Sequence, residues 1–397
     1  MKTKAKTVII GGGSAGCFAA AMLAKNAEDV LILERNDRVG KKLLATGNGQ
    51  GNLTNTHFSE KNYRGDQELI SSVFQAAPPA RVLGFLEECG IFTAADERGR
   101  VYPLSRQASS VLDAFREYYL SRGVEEITDC TVEKLEKTGD GWEIFTSRGS
   151  FFAKNVIVAA GGKSGAGFGT DGSFYRVLEE KGHTLTKTFP SLVAFRADTR
   201  FLKNLKGVRV EAELSVEGVS ERGDVLFTDS GVSGDAAFRL SAKVTEEYPK
   251  KAAIRFLPDF SEEKLRLLLE KKREVSRTAF GVLSGVVHKQ IAKNTLRMLG
   301  IAETLPAKET DAATLAKTLA AFPVTLTGTA GFAASQVTKG GVSGGEVFPK
   351  TLESRLLPGV YLVGEILDVD GDCGGYNLQW AFSSATVAVD AVTGGVK

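Results

Sequence analysis

The sequence predicts an α/β protein: a parallel-sheet domain contributed by both ends of the chain, split by a long inserted region. Three observations predict it. A β-branched run at residues 6–10 passes without a spacer into Gly11-Gly12-Gly13-Ser14-Ala15-Gly16, and then into the small, apolar stretch 17–24. A second strand-like run, residues 155–160, ends in Gly161-Gly162. A third, residues 359–363, ends in Gly364-Glu365 and leads to a small-residue helical stretch near the C-terminus. Strand, glycine turn and helix in direct succession, with strands returning late in the chain, are what a split parallel sheet requires.

The first unit is the most specific. After the helix, Val30-Leu31-Ile32-Leu33 reads as a second strand ending in Glu34, 18 residues beyond Gly16. This is the G-x-G-x-x-G turn of a Rossmann-like dinucleotide-binding unit, in its strand–turn–helix–strand–acid context. Gly11 permits the tight turn, Gly13 lets the backbone approach a pyrophosphate, and Gly16 lets helix and strand pack closely. The helix start at Ser14 and Ala15 offers N–H groups and a positive dipole end to phosphates, and Glu34 accepts hydrogen bonds from a ribose.

Composition bounds the rest. At 397 residues the chain exceeds what one core usually fills, so two or three domains are expected. Fifty basic against 48 acidic residues leave a net charge of +2, which gives no overall field for nucleic acid or an anionic membrane. Cys17, Cys89, Cys130 and Cys373 show no C-x-x-C spacing, which argues against structural zinc and suits a reducing cytoplasm. Lys2, Lys4 and Lys6 look like a signal-peptide start, but the glycine turn interrupts any apolar segment after them. No apolar run approaches a membrane span, so a cytoplasmic protein is expected. His57, His183 and His288 lack metal-ligand spacing, and no Ser/His/Asp set stands out.

Residues 35–55 hold four glycines and four asparagines, with Lys41 and Lys42. The stretch is expected to form no core and to wrap a polyanionic ligand. Here, through Gly40-Lys41-Lys42-Leu43-Leu44 and Asn52-Leu53-Thr54-Asn55, the chain resembles the BaiN-like or aminoacetone-oxidase-like FAD-binding flavoproteins, with Gln50-Gly51 in place of that family's usual Arg-Cys. The run Leu367-Asp368-Val369-Asp370-Gly371-Asp372-Cys373-Gly374-Gly375-Tyr376-Asn377-Leu378-Gln379 resembles the same family almost throughout. The resemblance is specific at both ends of the nucleotide domain and thinner across 190–325. It implies non-covalent FAD, NAD(P)H as a transient electron donor, and an insert made of a small β-barrel-like domain and a helical subdomain. The cofactor contacts expected are Gly11, Gly13, Ser14, Ala15, Gly16, Glu34, Arg35, Lys41, Lys42, Leu43, Gly47, Asn48, Gly49, Asn52, Thr54, Val132, Ala160, Gly161, Gly162, Gly364, Glu365, Asp368, Gly375, Tyr376, Asn377 and Leu378.

Between these ends the elements follow in order. Residues 68–76, 81–88 and 108–120 carry helical periodicity, and 99–105 reads as an extended, Pro-containing loop whose Arg100 and Tyr102 are candidates to face a substrate, with Tyr376 a third. Residues 124–128, 131–135, 142–146 and 150–152 read as a small, inserted antiparallel layer. Gly167-Phe168-Gly169-Thr170-Asp171-Gly172 repeats the glycine pattern but is detached from any strand and followed by no acid, so it reads as a lid over the active site. The expected division is 1–189 with 326–397 as the FAD domain, 190–260 with about 300–325 as the β-rich insert, and 261–299 as the helical subdomain. Ser261-Glu262-Glu263-Lys264 is a helix start. The basic residues Lys271, Lys272, Arg273, Arg277, Lys289 and Lys293 are interleaved with Glu270 and Glu274, so a solvated helical face is expected rather than a nucleic-acid patch.

Gly375 is expected to need a backbone approach that a Cβ would obstruct, with the N–H groups of Asn377 and Leu378 facing the flavin C2=O and N1 side. The expected function is FAD-dependent hydride transfer through flavin N5 that reduces a C=C bond in a small or steroid-like enone or dienone. O2-dependent oxidation of a small amine such as aminoacetone is the alternative, an RNA-binding or RNA-modifying flavoprotein a rival of another class, and a plain NAD-dependent dehydrogenase a third.

Overall fold

The structure, a computed structural model, describes residues 3–395, so Lys2 lies outside the described residues. The chain divides into two compact units, residues 1–190 with 336–397, and residues 191–335. Each has its own buried core.

In the first unit β1 (Lys4–Ile10), α1 (Ser14–Lys25) and β2 (Val30–Leu33) follow as expected. The parallel part of the sheet runs in the order Glu125–Ile127, β2, β1, Gly149–Val158, with Val360–Leu362 also pairing to the last of these. The register sets Ile10 beside Leu33 on one side and Val158 on the other, which brings three strand ends together at one edge. Strands buried on both faces need continuous apolar runs, and β2 is buried throughout. On α1 the run Ala19-Ala20-Ala21 is fully buried, and its small side chains let the helix lie close to its neighbours. Phe18 stacks on Phe382 of the C-terminal helix Tyr376–Thr393, ring centroids 4.8 Å apart, so the two ends of the chain share one core.

Four expectations need correction. The antiparallel strands Val132–Thr138 and Gly141–Thr146 form no separate layer. Gly149–Val158 is one ten-residue strand that pairs antiparallel with Gly141–Thr146 through its first half and parallel with β1 through most of its length. The stretch around Arg100 is a strand, Arg100–Pro103, held between Thr54–Asn55 and Thr93–Ala95, because its backbone finds ladder partners on both sides. The stretch 35–55 does contribute to the core: Leu43 and Leu53 are fully buried, and Lys41–Ala45 is a short helix. Finally, Phe322–Thr329 is one strand, so residue 326 falls inside an element rather than at a domain edge.

That strand closes a six-stranded barrel in the second unit, in the order Phe195–Ala197, Gly231–Ser233, Val219–Phe227, Arg209–Val216, Lys250–Arg255, Phe322–Thr329. Alternation drives the closure: Ala212, Leu214 and Val216 point into the core while their neighbours remain accessible. The helical part is longer than 261–299, since Ala312–Ala320 packs its Leu315, Ala316 and Leu319 into the same core. Ser261 caps the helix Glu262–Val275 by accepting from Lys264 N at 3.2 Å. Ser261→Ala should therefore lower the stability of this unit by about 1 kcal/mol, read as a shift of its urea midpoint. Among the described residues, no single helix is long and apolar enough to cross a membrane.

Candidate functional site

The glycine turn is built by three different constraints. Gly11 has φ +99°, and a Cβ there would sit 2.5 Å from Ala159 O. A Cβ on Gly16 would overlap the carbonyl oxygen of Gly11, so helix and strand approach too closely for any side chain. Gly13 differs: its φ of −79° suits any residue, and a Cβ would meet no protein atom within 4 Å. Nothing inside the protein requires glycine at this position. A ligand phosphate brought against the turn would.

Glu34 ends β2 and is only 6% exposed. Its Oε2 accepts from Gly12 N at 2.8 Å, and Oε1 accepts from Asn36 N at 2.8 Å and Asn36 Nδ2 at 2.7 Å. The carboxylate therefore shapes the turn itself. Cys130 N donates to Glu34 O, which puts Val132 two residues beyond that contact. Ala15 lies against Gly364, where a Cβ would be 3.2 Å from the Ala15 methyl.

The second glycine run, expected as a lid over the active site, is placed beside the first nucleotide-binding unit. It folds back on the residues that follow Glu34: Arg35 Nη1 donates to Asp171 Oδ1 (2.6 Å), Ser173 Oγ (3.0 Å) and Gly169 O (3.3 Å), and Asn36 Nδ2 donates to Phe168 O. Positive φ at Gly165, Gly169 and Gly172 allows this reversal. Burial acts to raise the Asp171 carboxyl, but bonds from Ser173 and Arg35 outweigh it and hold the group below its ordinary range.

Next come the lysines. Lys41 pairs with Asp37 at 2.7 Å. Lys42 Nζ donates to Glu365 Oε2 at 2.6 Å, joining two sequence-predicted residues 323 positions apart. Glu365 Oε1 accepts from Thr338 N at 2.8 Å, and Thr338 Oγ1 accepts from Lys163 N and Ser164 N. Thr338 carried no motif and was missed. It explains Gly162, where a Cβ would lie 2.5 Å from Thr338 Oγ1 and 2.9 Å from Glu365 Oε1. Gly161 is at φ +74°, and Ala160 precedes it at the strand end. Gly47, Asn48, Gly49 and Gly51 all have positive φ, which coils the backbone tightly here. The Leu43 side chain is in the core, leaving only its backbone for a ligand.

At the far end the C-terminal helix starts at Gly375, φ +100°, with no capping side chain. A Cβ there would overlap the Thr54 carbonyl, so the obstruction expected from sequence is real, and it is the protein's own strand that imposes it. Among the described residues none accepts from the N–H of Asn377 or Leu378. The Asn377 carboxamide is engaged internally, with Gly371 N and O and Asp372 O. Thr54 is 2% exposed, and its Oγ1 has no partner among the described residues. Asn52, with its carboxamide oriented to satisfy both neighbours, donates to Thr54 O and accepts from Gly375 N, each at 3.1 Å. Burial raises the Asp368 carboxyl and the Tyr376 phenol above their ordinary ranges.

Arg100 and Tyr102 lie beside this bed but do not stand free. Arg100 Nε and Nη2 engage Asp96 at 2.8 and 2.7 Å. Tyr102 is buried, with the Arg106 guanidinium 4.3 Å from its ring centroid, and a Cβ on Gly47 would be 3.4 Å from that ring.

One constellation was invisible in sequence. His183 sits between Glu346 (Nδ1 to Oε2, 2.8 Å) and Ser354 (Nε2 to Oγ, 3.0 Å), the connectivity of a hydrolase triad. It is structural: the His183 side chain is fully buried, and Ser354 Oγ already accepts from Leu356 N and Leu357 N.

The residues present fit a dinucleotide cofactor. Gly13 is an open N-cap glycine that no clash or positive φ requires, and among the described residues Thr54 Oγ1 is a buried hydroxyl without a partner and the N–H groups of Asn377 and Leu378 are unsatisfied. Fold and site together define a Rossmann-type dinucleotide-binding protein whose nucleotide domain is interrupted by a β-barrel. More narrowly, the chain belongs to the HI0933-like protein Rossmann domain family, whose model matches residues 5–391. It is 35% identical to the 3-dehydro-bile acid delta(4,6)-reductase of Clostridium scindens, covering 96% of this chain and 97% of that protein. It is also 27% identical to the ribosomal RNA dihydrouridine synthase of Escherichia coli, with 95% of each covered. Among solved structures, the 3-ketosteroid delta1-dehydrogenase of Sterolibacterium denitrificans shares the fold at a TM-score of 0.54 and 11% identity, covering 99% of this chain and 100% of that one.

Proposed function

We propose that this chain is an FAD-dependent oxidoreductase that reduces a carbon–carbon double bond conjugated to a carbonyl, with an enone or dienone as substrate. The observation that carries the cofactor assignment is Gly13, an open N-cap glycine in the dinucleotide-binding turn that neither a clash nor a positive φ within the protein requires. The relatives support the direction of reaction. A delta(4,6)-reductase acting on a 3-dehydro bile acid and a dihydrouridine synthase both saturate a C=C bond next to a carbonyl system. That shared chemistry favours reduction over oxidation of a small amine.

The chain's residues divide the work. The turn 11–16 and the start of α1 would bind the pyrophosphate and Glu34 the adenosine ribose, with the Lys42–Glu365 pair as further polar contacts for the cofactor. When bound, FAD supplies hydride transfer at N5, with NAD(P)H as the donor. The N–H groups of Asn377 and Leu378 stabilise negative charge on the pyrimidine side. Saturating the double bond also needs a proton at the carbon next to the carbonyl. We assign its delivery to Tyr376, a phenol protonated at neutral pH that stands at the start of the C-terminal helix with its hydroxyl 3.5 Å from His57 O, because Arg100 is tied to Asp96 and Tyr102 is packed under Gly47.

The test is anaerobic. Protein reconstituted with FAD should release it on acid precipitation, be bleached by NADH or NADPH, and be reoxidised faster by a conjugated steroid dienone than by air. Bleaching by aminoacetone with reoxidation by O2 alone would establish the oxidase instead. The second reading, reduction of uridine in ribosomal RNA, is favoured by the near full-length match to the E. coli synthase. Dihydrouridine formed in rRNA, with no turnover of dienone, would establish it.

A further inference from the structure

The C-terminal helix presents its N-terminus without a cap of its own. Its first residue follows a glycine at φ +100° that offers no capping side chain, the glycine before that is at φ +127°, and the one side chain of the first turn that reaches back, Asn377, holds Gly371 and Asp372 rather than the two glycines. Two successive glycines in such conformations do not by themselves fix the direction in which the following N–H groups point. Beyond the Asn377 carboxamide, something outside the helix has to.

A single polar strap does so. Residues 52–65 send three side chains onto three different backbone atoms of Gly374, Gly375 and Tyr376. Asn52 accepts from Gly375 N at 3.1 Å while donating to its own strand at Thr54 O. Asn55 Nδ2 donates to Gly374 O at 3.0 Å. The buried Tyr63 hydroxyl donates to Tyr376 O at 2.9 Å. Behind them the strand Tyr63–Gly65 pairs antiparallel with Val369–Gly371, and Arg64 bridges Asp370 (2.9 Å) and Asp372 (2.7 Å) across that pairing. The strap thus grips both the helix start and the loop leading into it, with contacts that are directional and mostly buried.

We infer that Asn52, Asn55 and Tyr63 are positioning residues that set how strongly the helix N-terminus stabilises negative charge on the bound flavin; this rests on the FAD assignment above. None of the three needs to touch the reacting atoms. Each fixes a backbone atom one to three residues before Asn377. Releasing any one lets the first turn rotate or retreat, and a helix-end dipole loses its effect within about one turn.

Sulfite reports this directly, because it adds to N5 of oxidised flavin and leaves negative charge on the N1–C2=O side. Wild type, Asn55→Ala, Tyr63→Phe and Lys61→Gln would each be reconstituted with FAD and titrated with sulfite at matched occupancy. Lys61 is an exposed side chain on the same strap and serves as the control. A dipole contribution of about 0.3–2 kcal/mol corresponds to roughly two- to thirty-fold weaker sulfite binding in Asn55→Ala and Tyr63→Phe. Lys61→Gln should match wild type, and the midpoint potential of the two strap variants should move to more negative values. Tyr63→Phe removes one hydroxyl and keeps the ring, so it reports even where Asn55→Ala disturbs folding. Weaker FAD retention with unchanged sulfite affinity would overturn the inference by showing a purely structural strap. Wild-type protein that takes up no FAD would overturn the cofactor assignment and this inference with it.

Discussion

Gly13→Ala should lower FAD affinity by roughly 10- to 150-fold and leave the fold intact, whereas Gly16→Ala should destabilise the fold itself. The two glycines stand three residues apart in one motif, but their surroundings differ. A methyl group at Gly13 meets nothing in the protein, and its backbone angle is ordinary. The cost falls on a phosphate held against the turn, where losing one charge-assisted hydrogen bond is worth about 1.5–3 kcal/mol. A methyl at Gly16 overlaps the Gly11 carbonyl, which is backbone and cannot swing aside. Overpacking of that kind costs about 1–3 kcal/mol, and the clash with a main-chain atom places it at the upper end. Urea denaturation followed by circular dichroism, beside fluorescence titration with FAD, separates the two effects. Undiminished FAD binding by Gly13→Ala would show that no phosphate sits at this turn. Unchanged stability of Gly16→Ala would show a looser helix–strand contact than the structure has.

The second large effect is at Glu34, and it is twofold. Glu34→Ala should weaken FAD binding by roughly 10- to 150-fold through loss of the ribose interaction. It should also cost about 1–3 kcal/mol of stability, because the carboxylate holds Gly12 N and both nitrogens of Asn36 in a buried setting. Sequence reasoning gives Glu34 only the first role, since a strand-end acid after a glycine motif is a ribose ligand by pattern. The structure adds the second. Measuring stability without FAD and affinity at a temperature where the variant is folded keeps the two apart. If only stability falls, Glu34 serves the turn and not the ribose.

Local pattern carried much of the fold. Residues 6–34 announced strand, turn, helix, strand and acid, because each step of that unit imposes a local requirement on residue type: β-branching, glycine, small side chains, a terminal carboxylate. The C-terminal helix start at Gly375 was legible for the same reason, since a helix that begins after a residue at positive φ needs glycine there. Ser261 was legible as a cap because capping spans only three residues.

What the sequence could not show was which distant polar groups would meet. Thr338 and Glu365, Lys42 and Glu365, Tyr63 and Tyr376, and His183 with Ser354 are brought together across long stretches of chain, and no spacing rule connects them. The second glycine run had the composition of a lid, yet its position against Arg35 and Asn36 depended on where three positive-φ glycines turned the chain. The strand through Arg100 looked like a loop because its ladder partners lie elsewhere in the chain. The sequence by itself therefore determined the α/β class, the glycine turn and the split of the nucleotide domain, because each is announced by a residue pattern only a few positions long. Only the tertiary structure decided the order in which six strands close the barrel, the dual role of Glu34 and the strap that holds the start of the C-terminal helix. A hydrogen bond between remote residues depends on the whole chain having folded, and no local stretch encodes its far partner.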